Sequence, residues 1–389
     1  MPIVILKASM KHDLSFDSKR RTRRTWLRDT TTEVLRAALV CATGGSVLQT
    51  LGCVSLPKTS VPDLIWGRHG TSDGRFVKPR AIAIDRSDQL YICDTTGRIQ
   101  VFDTDGNFQR VWVMPETANG RPTGMQLRPA DKHVDRELLL VADTHYYRML
   151  AFELDGTLHE DACIGGTAGF GPGEFAFVTE AVTDQDGGYY IGEYGDSDRI
   201  QRFDPNGAFV SQWGKTGRDP GEFVRPQSMI AHDRNLYVMD SGNDRVQVFD
   251  LTSDTPRLVD VWGQHGKLPG QLSYPYDVTL QFSHERSEQG AEPHLLICEY
   301  LNQRVQQTKL DGTPVATWGA PGRGEGQLNQ PWGAVVDSLG RIHVLDSNNH
   351  RVQRVAANGM LPVANGVADL VKTAKNPNVS PCEETFPVA

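Results

Sequence analysis

The stretch Trp213-Gly-Lys-Thr-Gly217-Arg-Asp-Pro-Gly221-Glu-Phe-Val-Arg-Pro226-Gln-Ser-Met-Ile-Ala231 continues through Asn235-Leu-Tyr-Val-Met-Asp240-Ser-Gly-Asn-Asp-Arg245-Val-Gln-Val-Phe-Asp250. Gly214, Gly217 and Gly221 break any helix or strand and permit positive φ, so the first third is a long ordered turn. Pro226 closes that turn, because proline is tolerated at the start of a strand where no ladder donor is needed. Gln227–Ala231, Leu236–Met239 and Arg245–Phe249 then read as three short strands. A fourth strand runs into the next Trp-Gly, as Phe209–Trp213 does in the copy before.

Working outward, the same unit recurs. An acidic residue followed by an arginine that opens a short apolar run occurs at Asp94/Arg98, Asp143/Arg148, Glu193/Arg199, Asp240/Arg245, Glu299/Arg304 and Asp346/Arg351. The arginines are spaced by 50, 51, 46, 59 and 47 residues, a period that indicates stacked repeats rather than a succession of different domains. The second strand is apolar on both faces in most copies (Leu90–Cys93, Leu139–Ala142, Leu295–Cys298). A strand buried on both faces belongs to a sheet packed between neighbouring sheets. Cys93 and Cys298 occupy equivalent positions in it and read as small buried hydrophobes.

These features resemble the NHL repeat. The residues that carry the resemblance are Trp66-Gly67, Trp213-Gly214, Trp262-Gly263 and Trp318-Gly319, the proline-led first strands, and the blocks Asp240-Ser-Gly-Asn-Asp-Arg245 and Asp346-Ser-Asn-Asn-His-Arg351. The resemblance covers residues 62–357 and implies an all-β, six-bladed propeller with four-stranded blades around a channel. Copies two and three depart from the pattern: Trp112 lacks its glycine and Ile164-Gly165 replaces Trp-Gly. The last copy has three strands and no following Trp-Gly, while Pro62–Trp66 is a fourth strand without the first three. The segment 62–66 is therefore expected to complete the last blade and remove the open edge.

The chain of 389 residues divides on this reading into 1–53, a linker 54–61, the propeller 62–359 and a tail 360–389 without repeats. Its formal charge is −8; residues 1–53 carry nine Lys/Arg against four Asp/Glu, leaving −13 after Cys53. An acidic body repels phosphate backbones, so no nucleic-acid partner is expected. The six cysteines show no disulfide framework.

Thr22-Arg23-Arg24-Thr25-Trp26-Leu27-Arg28 resembles a twin-arginine export motif, followed by the weakly apolar stretch Ala37–Leu51. That stretch is too short and polar for a good transmembrane helix. Leu51-Gly52-Cys53 is similar to a lipoprotein cleavage site, with Thr50 departing from the pattern. The expectation is an exported, periplasmic or envelope protein, with Cys53 as a candidate membrane tether and the propeller as a monomer.

A residue type present in all six copies serves the repeat, so the acid–arginine pairs are assigned to turns and function is sought where copies differ. The resemblance places the turn into strand one and the turn between strands two and three around one channel mouth. The position after each strand-opening proline is Arg80, Thr123, Glu180, Gln227, Tyr276 and Trp332, with Thr179 in place of the proline in copy three. The next position contains Asp277 and Ser228, and His145, Asn243, Asn302 and His350 are candidates for the same rim. A cation, carboxylates, a phenol, an indole and amides suit a polar binding pocket. The expected function is therefore binding of a protein, peptide or glycan through Arg80, His145, Glu180, Gln227, Tyr276, Asp277 and Trp332. No cofactor is required by this reading.

The alternative is a metal-dependent lyase or hydrolase. The repeat resembles peptidyl-α-hydroxyglycine lyase, but no opening position is histidine, so its zinc site does not carry over. Glu180, Asp277 and Asn302 are similar to the ion-holding residues of calcium-dependent lactonase propellers, which makes calcium in the central channel the one metal worth testing.

Overall fold

The computed structural model describes residues 60–195, 197–282 and 293–363. The export-like segment with Cys53, the loop 283–292 and the chain from residue 364 onward lie outside the described residues. Among the described residues six antiparallel sheets form the blades, each built on four strands, with a fifth added in blade five. In blade four these are Pro226–His232, Asn235–Asp240, Arg245–Asp250 and Arg257–Trp262, in that order across the sheet. The innermost strands of the other blades are Pro79–Ile84, Gly124–Arg128, Phe177–Thr183, Pro275–Gln281 and Gly333–Val336. The chain is thus an all-β six-bladed propeller.

The ring closes as the orphan strand implied. Leu64–Trp66 pairs antiparallel with blade six, Leu64 opposite Arg354 and Trp66 opposite Val352. Arg354 then bridges the seam, contacting Asp63 at 3.1 Å on the closing segment and Asp105 at 2.7 Å in blade one. Apolar residues seal the same junction: Phe76, Ile92 and Phe102 pack with Val335, Leu345 and Val352.

Neighbouring blades are keyed by tryptophan under glycine. A Cβ on Gly106 would lie 2.5 Å from the Trp66 ring, and one on Gly156 2.7 Å from Trp112. Gly312 meets Trp262 in the same way, at 2.5 Å. All three glycines have positive φ, so each turn needs glycine both for its backbone and for the indole beneath it.

The acid–arginine pairs are latches within each blade. In blade four Arg245 Nε donates to Asp240 at 2.7 Å, and its outer nitrogens donate to the carbonyls of Arg218, Asp219 and Glu222 in the glycine turn. Asp240, fully buried, also accepts from the Val224 amide at 2.7 Å and the Asn243 side chain. Gln247 joins the latch, donating to Glu222 O and accepting from the Gly221 amide. Gln100, Gln201, Gln306 and Gln353 repeat this clip in blades one, three, five and six. Blade two lacks both the glutamine and the glycine turn; there Arg148 binds Asp143 at 2.9 Å and reaches Glu116 instead.

Two details go beyond the sequence reading. In blade two Leu127 and Arg128 end the innermost strand, and Arg128 is buried, donating to the Tyr189 hydroxyl at 2.9 Å and pairing with Asp131. Leu361–Pro362, in a tail with no repeat signal, adds a fifth strand to blade five by pairing with Ala316 and Thr317.

Candidate functional site at the channel mouth

Each innermost strand begins with an irregularity that turns one side chain toward the axis. In blades one, four and five the register skips a residue between the proline and the second position after it. Arg80, Gln227 and Tyr276 are the residues left out of the ladder. In blade three the skip falls between Val178 and Glu180. Thr179 therefore holds the opening position there, and Glu180 belongs one step deeper. This corrects the sequence alignment by one residue: Val178 holds the proline's register position, and with no proline there nothing in the sequence marked the shift.

The correction sorts the channel into two layers. The mouth layer is Arg80, Thr123, Thr179, Gln227, Tyr276 and Trp332. The layer below is Ala81, Gly124, Glu180, Ser228, Asp277 and Gly333. Both layers meet around a neck of about 10 Å³, roughly enough for one water. The acids stand on blades three and five with Ser228 between them, and the other three positions are small. Ser228 Oγ donates to Asp277 Oδ1 at 3.0 Å, and the Ala334 amide donates to Oδ2 at 3.0 Å. A Cβ on Gly124 would lie 2.3 Å from Thr179 O and 3.1 Å from Glu180 Oε1, and one on Gly333 3.0 Å from Asp277 Oδ2. The small residues thus make room for the carboxylates.

Burial, and then the Asp277 charge, push the Glu180 carboxyl well above its usual range. Burial also raises Asp277, to about 6. Neither acid has a cationic ion-pair partner among the described residues, which is why desolvation dominates.

Above the neck lies a cavity of about 430 Å³ lined by Lys78, Arg80, Thr123, His145, Tyr194, Arg225, Gln227, Tyr274, Tyr276, Tyr300, Leu301 and Trp332. One wall is aromatic. Tyr276 stacks on Trp332 with centroids 4.7 Å apart and on Tyr300 at 5.8 Å. The cations lie on ring faces: the Arg80 guanidinium is 4.7 Å from the Trp332 centroid, and Arg225 is 4.1 Å from that of Tyr194. Burial and the neighbouring Arg80 charge lower the His145 pKa, so its ring is neutral near pH 7. Among the described residues no carboxylate lines this cavity. A second cavity of about 410 Å³ opens below the neck, bounded by Ile82, Asp85, Val278, Val335 and Asp337 among others.

Of the residues expected at the mouth, Arg80, Gln227, Tyr276, Trp332 and His145 line the cavity, while Glu180 and Asp277 form the neck beneath. Asn243, Asn302 and His350 do not join them. Asn243 and Asn302 donate to Gly217 O and Gly266 O and to their own latch acids, so they serve the repeat. His350 Nδ1 accepts from the Lys78 amide at 2.8 Å. Asn302 is therefore no ligand beside Glu180 and Asp277.

Sequence reasoning missed Lys78, Arg225 and Tyr274, the residues just before the prolines. They adopt φ of 48°, 57° and 52°, which projects them into the mouth. The residue before a proline is expected to be extended, so no signal in the sequence marked the left-handed turn that places them there. Tyr194 and Tyr300, each directly after a latch acid, were also missed.

Residues 328–355 match the NHL repeat family, and residues 180–289 match a family described as a 6-bladed beta-propeller. The chain is 30% identical over 139 residues to the E3 ubiquitin-protein ligase TRIM71 of Rattus norvegicus, covering 32% of this chain and 15% of that protein. It is 26% identical over 182 residues to NHL repeat-containing protein 3 of Homo sapiens, covering 44% of this chain and 50% of that one. The chain therefore spans half or less of the length of these curated relatives. An auxiliary nutrient binding protein from Bacteroides thetaiotaomicron VPI-5482 shares the fold at 15% identity and a TM-score of 0.54, over 72% of this chain and 69% of its own.

Proposed function

We propose that this chain is a binding module that holds a ligand of a protein, peptide or glycan in its channel mouth. One observation carries the reading. Arg80 Nε, His145 Nδ1, Arg225 Nε, Gln227 Oε1 and Trp332 Nε1 are buried polar atoms of residues that line one cavity, and none has a hydrogen-bond partner among the described residues. Leaving such groups unmet is costly, about 1–3 kcal/mol each, so a cluster of them around one cavity is better explained by a partner than by packing. The aromatic wall adds a rigid surface of the kind found in ligand pockets.

The test is a panel of glycans and short peptides probed with the full chain and with Tyr276→Ala and Trp332→Ala variants whose folding is checked by circular dichroism. Ligands that bind the native chain should be lost in both variants. Undiminished binding by folded variants would move the site elsewhere.

The metal-dependent lyase or hydrolase reading rests on Glu180 and Asp277. Calcium sites use six to eight oxygens. The neck offers these two carboxylates with the Gln227 amide and the Ser228 and Thr123 hydroxyls, and both Asp277 oxygens already accept hydrogen bonds. The donor set falls short, so binding is the better reading; elemental analysis of the purified protein tests the alternative, and stoichiometric calcium would favour it. The Arg23-Arg24 segment supports export to the periplasm or envelope, with Cys53 as tether, and mass spectrometry of the mature N-terminus tests that.

A further inference from the structure

The mouth is chemically unlike the rest of the protein. After Cys53 the chain carries −13, yet among the described residues the cavity is lined by three cations and no acid. Among the described residues Lys78, Arg80 and Arg225 make no ion pair; two guanidiniums lie on ring faces and Lys78 Nζ is 5.4 Å from the Trp332 centroid. A cation stacked on an aromatic ring keeps its N–H edge free for an anion, and a planar fork suits a carboxylate. The ligand should therefore carry negative charge.

Charge alone does not describe the site. Gln227 Oε1 is an acceptor and Trp332 Nε1 a donor, on residues only 3% and 7% exposed, and both lack partners. His145, whose Nδ1 is also buried without a partner among the described residues, lines the same cavity. These atoms call for hydroxyl groups, which donate and accept at once. The stacked faces of Tyr276, Trp332 and Tyr300 call for a ring with C–H bonds to set against their negative π-clouds. The cavity of about 430 Å³ suits one or two sugar rings, and the neck of about 10 Å³ below stops an extended chain from threading through.

We propose that the mouth binds an acidic sugar, a hexuronate or a glycan ending in one, with its carboxylate toward Arg80 and Arg225 and its ring against the Tyr276–Trp332 wall. This rests on the mouth being the binding site and narrows what it holds.

The experiment is calorimetric titration of the full chain with glucuronate, glucose and benzoate, repeated with Arg225→Ala. Glucuronate should bind at least tenfold more tightly than either glucose or benzoate, because only it combines charge with hydroxyls. Arg225→Ala should reduce that preference over glucose at least fivefold. Equal affinity for glucose would overturn the charge argument, and equal affinity for benzoate the sugar argument. Absence of saturable glucuronate binding would overturn the proposal outright. In that event, panel ligands still lost in Trp332→Ala would leave the mouth as the site with another ligand, whereas panel binding that survives Trp332→Ala would remove the mouth reading as well.

Discussion

The Arg80 guanidinium, from the first blade, lies 4.7 Å from the centroid of Trp332, from the last. The contact spans the seam where the two ends of the ring meet, so the mouth depends on closure. Cation–π contacts are worth about 0.5–2 kcal/mol. Arg80→Ala should therefore lower stability by about 1 kcal/mol while weakening mouth ligands at least tenfold. Chemical denaturation and calorimetry on one preparation would separate the two; a stability loss with unchanged affinity would place Arg80 in the scaffold only.

Closure itself is testable at Trp66, which lies beneath Gly106 and packs tilted against Phe102 with centroids 4.7 Å apart. Trp66→Ala should cost about 2–4 kcal/mol, below the range for a wholly buried tryptophan because this one is half-buried. Deleting residues 60–67 should broaden the melting transition, since blade six would lose its outer strand. A sharp, unshifted melt after that deletion would disprove the closure role.

The latches should be unequal. Asp240 accepts from Arg245, Val224, Asn243 and Gln247, whereas Asp143 Oδ2 accepts from Arg148 and Oδ1 is unpartnered. Asp240→Ala takes the carboxylate from a half-buried arginine and several donors, and should cost about 3–5 kcal/mol. Asp143→Ala should cost about 1–2 kcal/mol less than that. Urea unfolding of the pair measures the difference, and equal losses would contradict the hydrogen-bond account.

The neck carboxylates set a pH dependence of definite sign. Asp277 titrates near 6 in the folded state, above its ordinary value of about 3.9, and Glu180 is raised too. Between about pH 4 and 6 the folded chain then holds more protons than the unfolded one, so stability falls as pH rises through that window. The latch acids Asp143, Glu193, Asp240 and Glu299, also raised by burial, add to the same trend. Asp277→Asn removes one contributor: the variant should gain on the order of 1 kcal/mol over the native chain at pH 8 relative to pH 4. Denaturation at the two pH values would show it, and an unchanged pH profile would argue that Asp277 titrates normally.

The blades were readable because their determinants are local. Trp213-Gly214, Pro226, Asp240 and Arg245 act within one repeat, where spacing along the chain maps directly to spacing in the sheet. The convergence of Arg80, Gln227, Tyr276 and Trp332 followed from counting repeats. The misplacement of Glu180 arose because a β-bulge shifts side chains by one position without leaving a mark in composition. Lys78, Arg225 and Tyr274 escaped notice because their direction depends on a left-handed backbone conformation.

The sequence alone determined six blades, their latches and the strand that closes them, since each rests on periodic and short-range contacts. Tertiary structure decided what the mouth is. Only with the ring closed do residues from blades one to six stand around one axis, leaving cations on aromatic faces above a pair of buried acids. Those distances run between residues of different blades, far apart along the chain, and no local pattern encodes them.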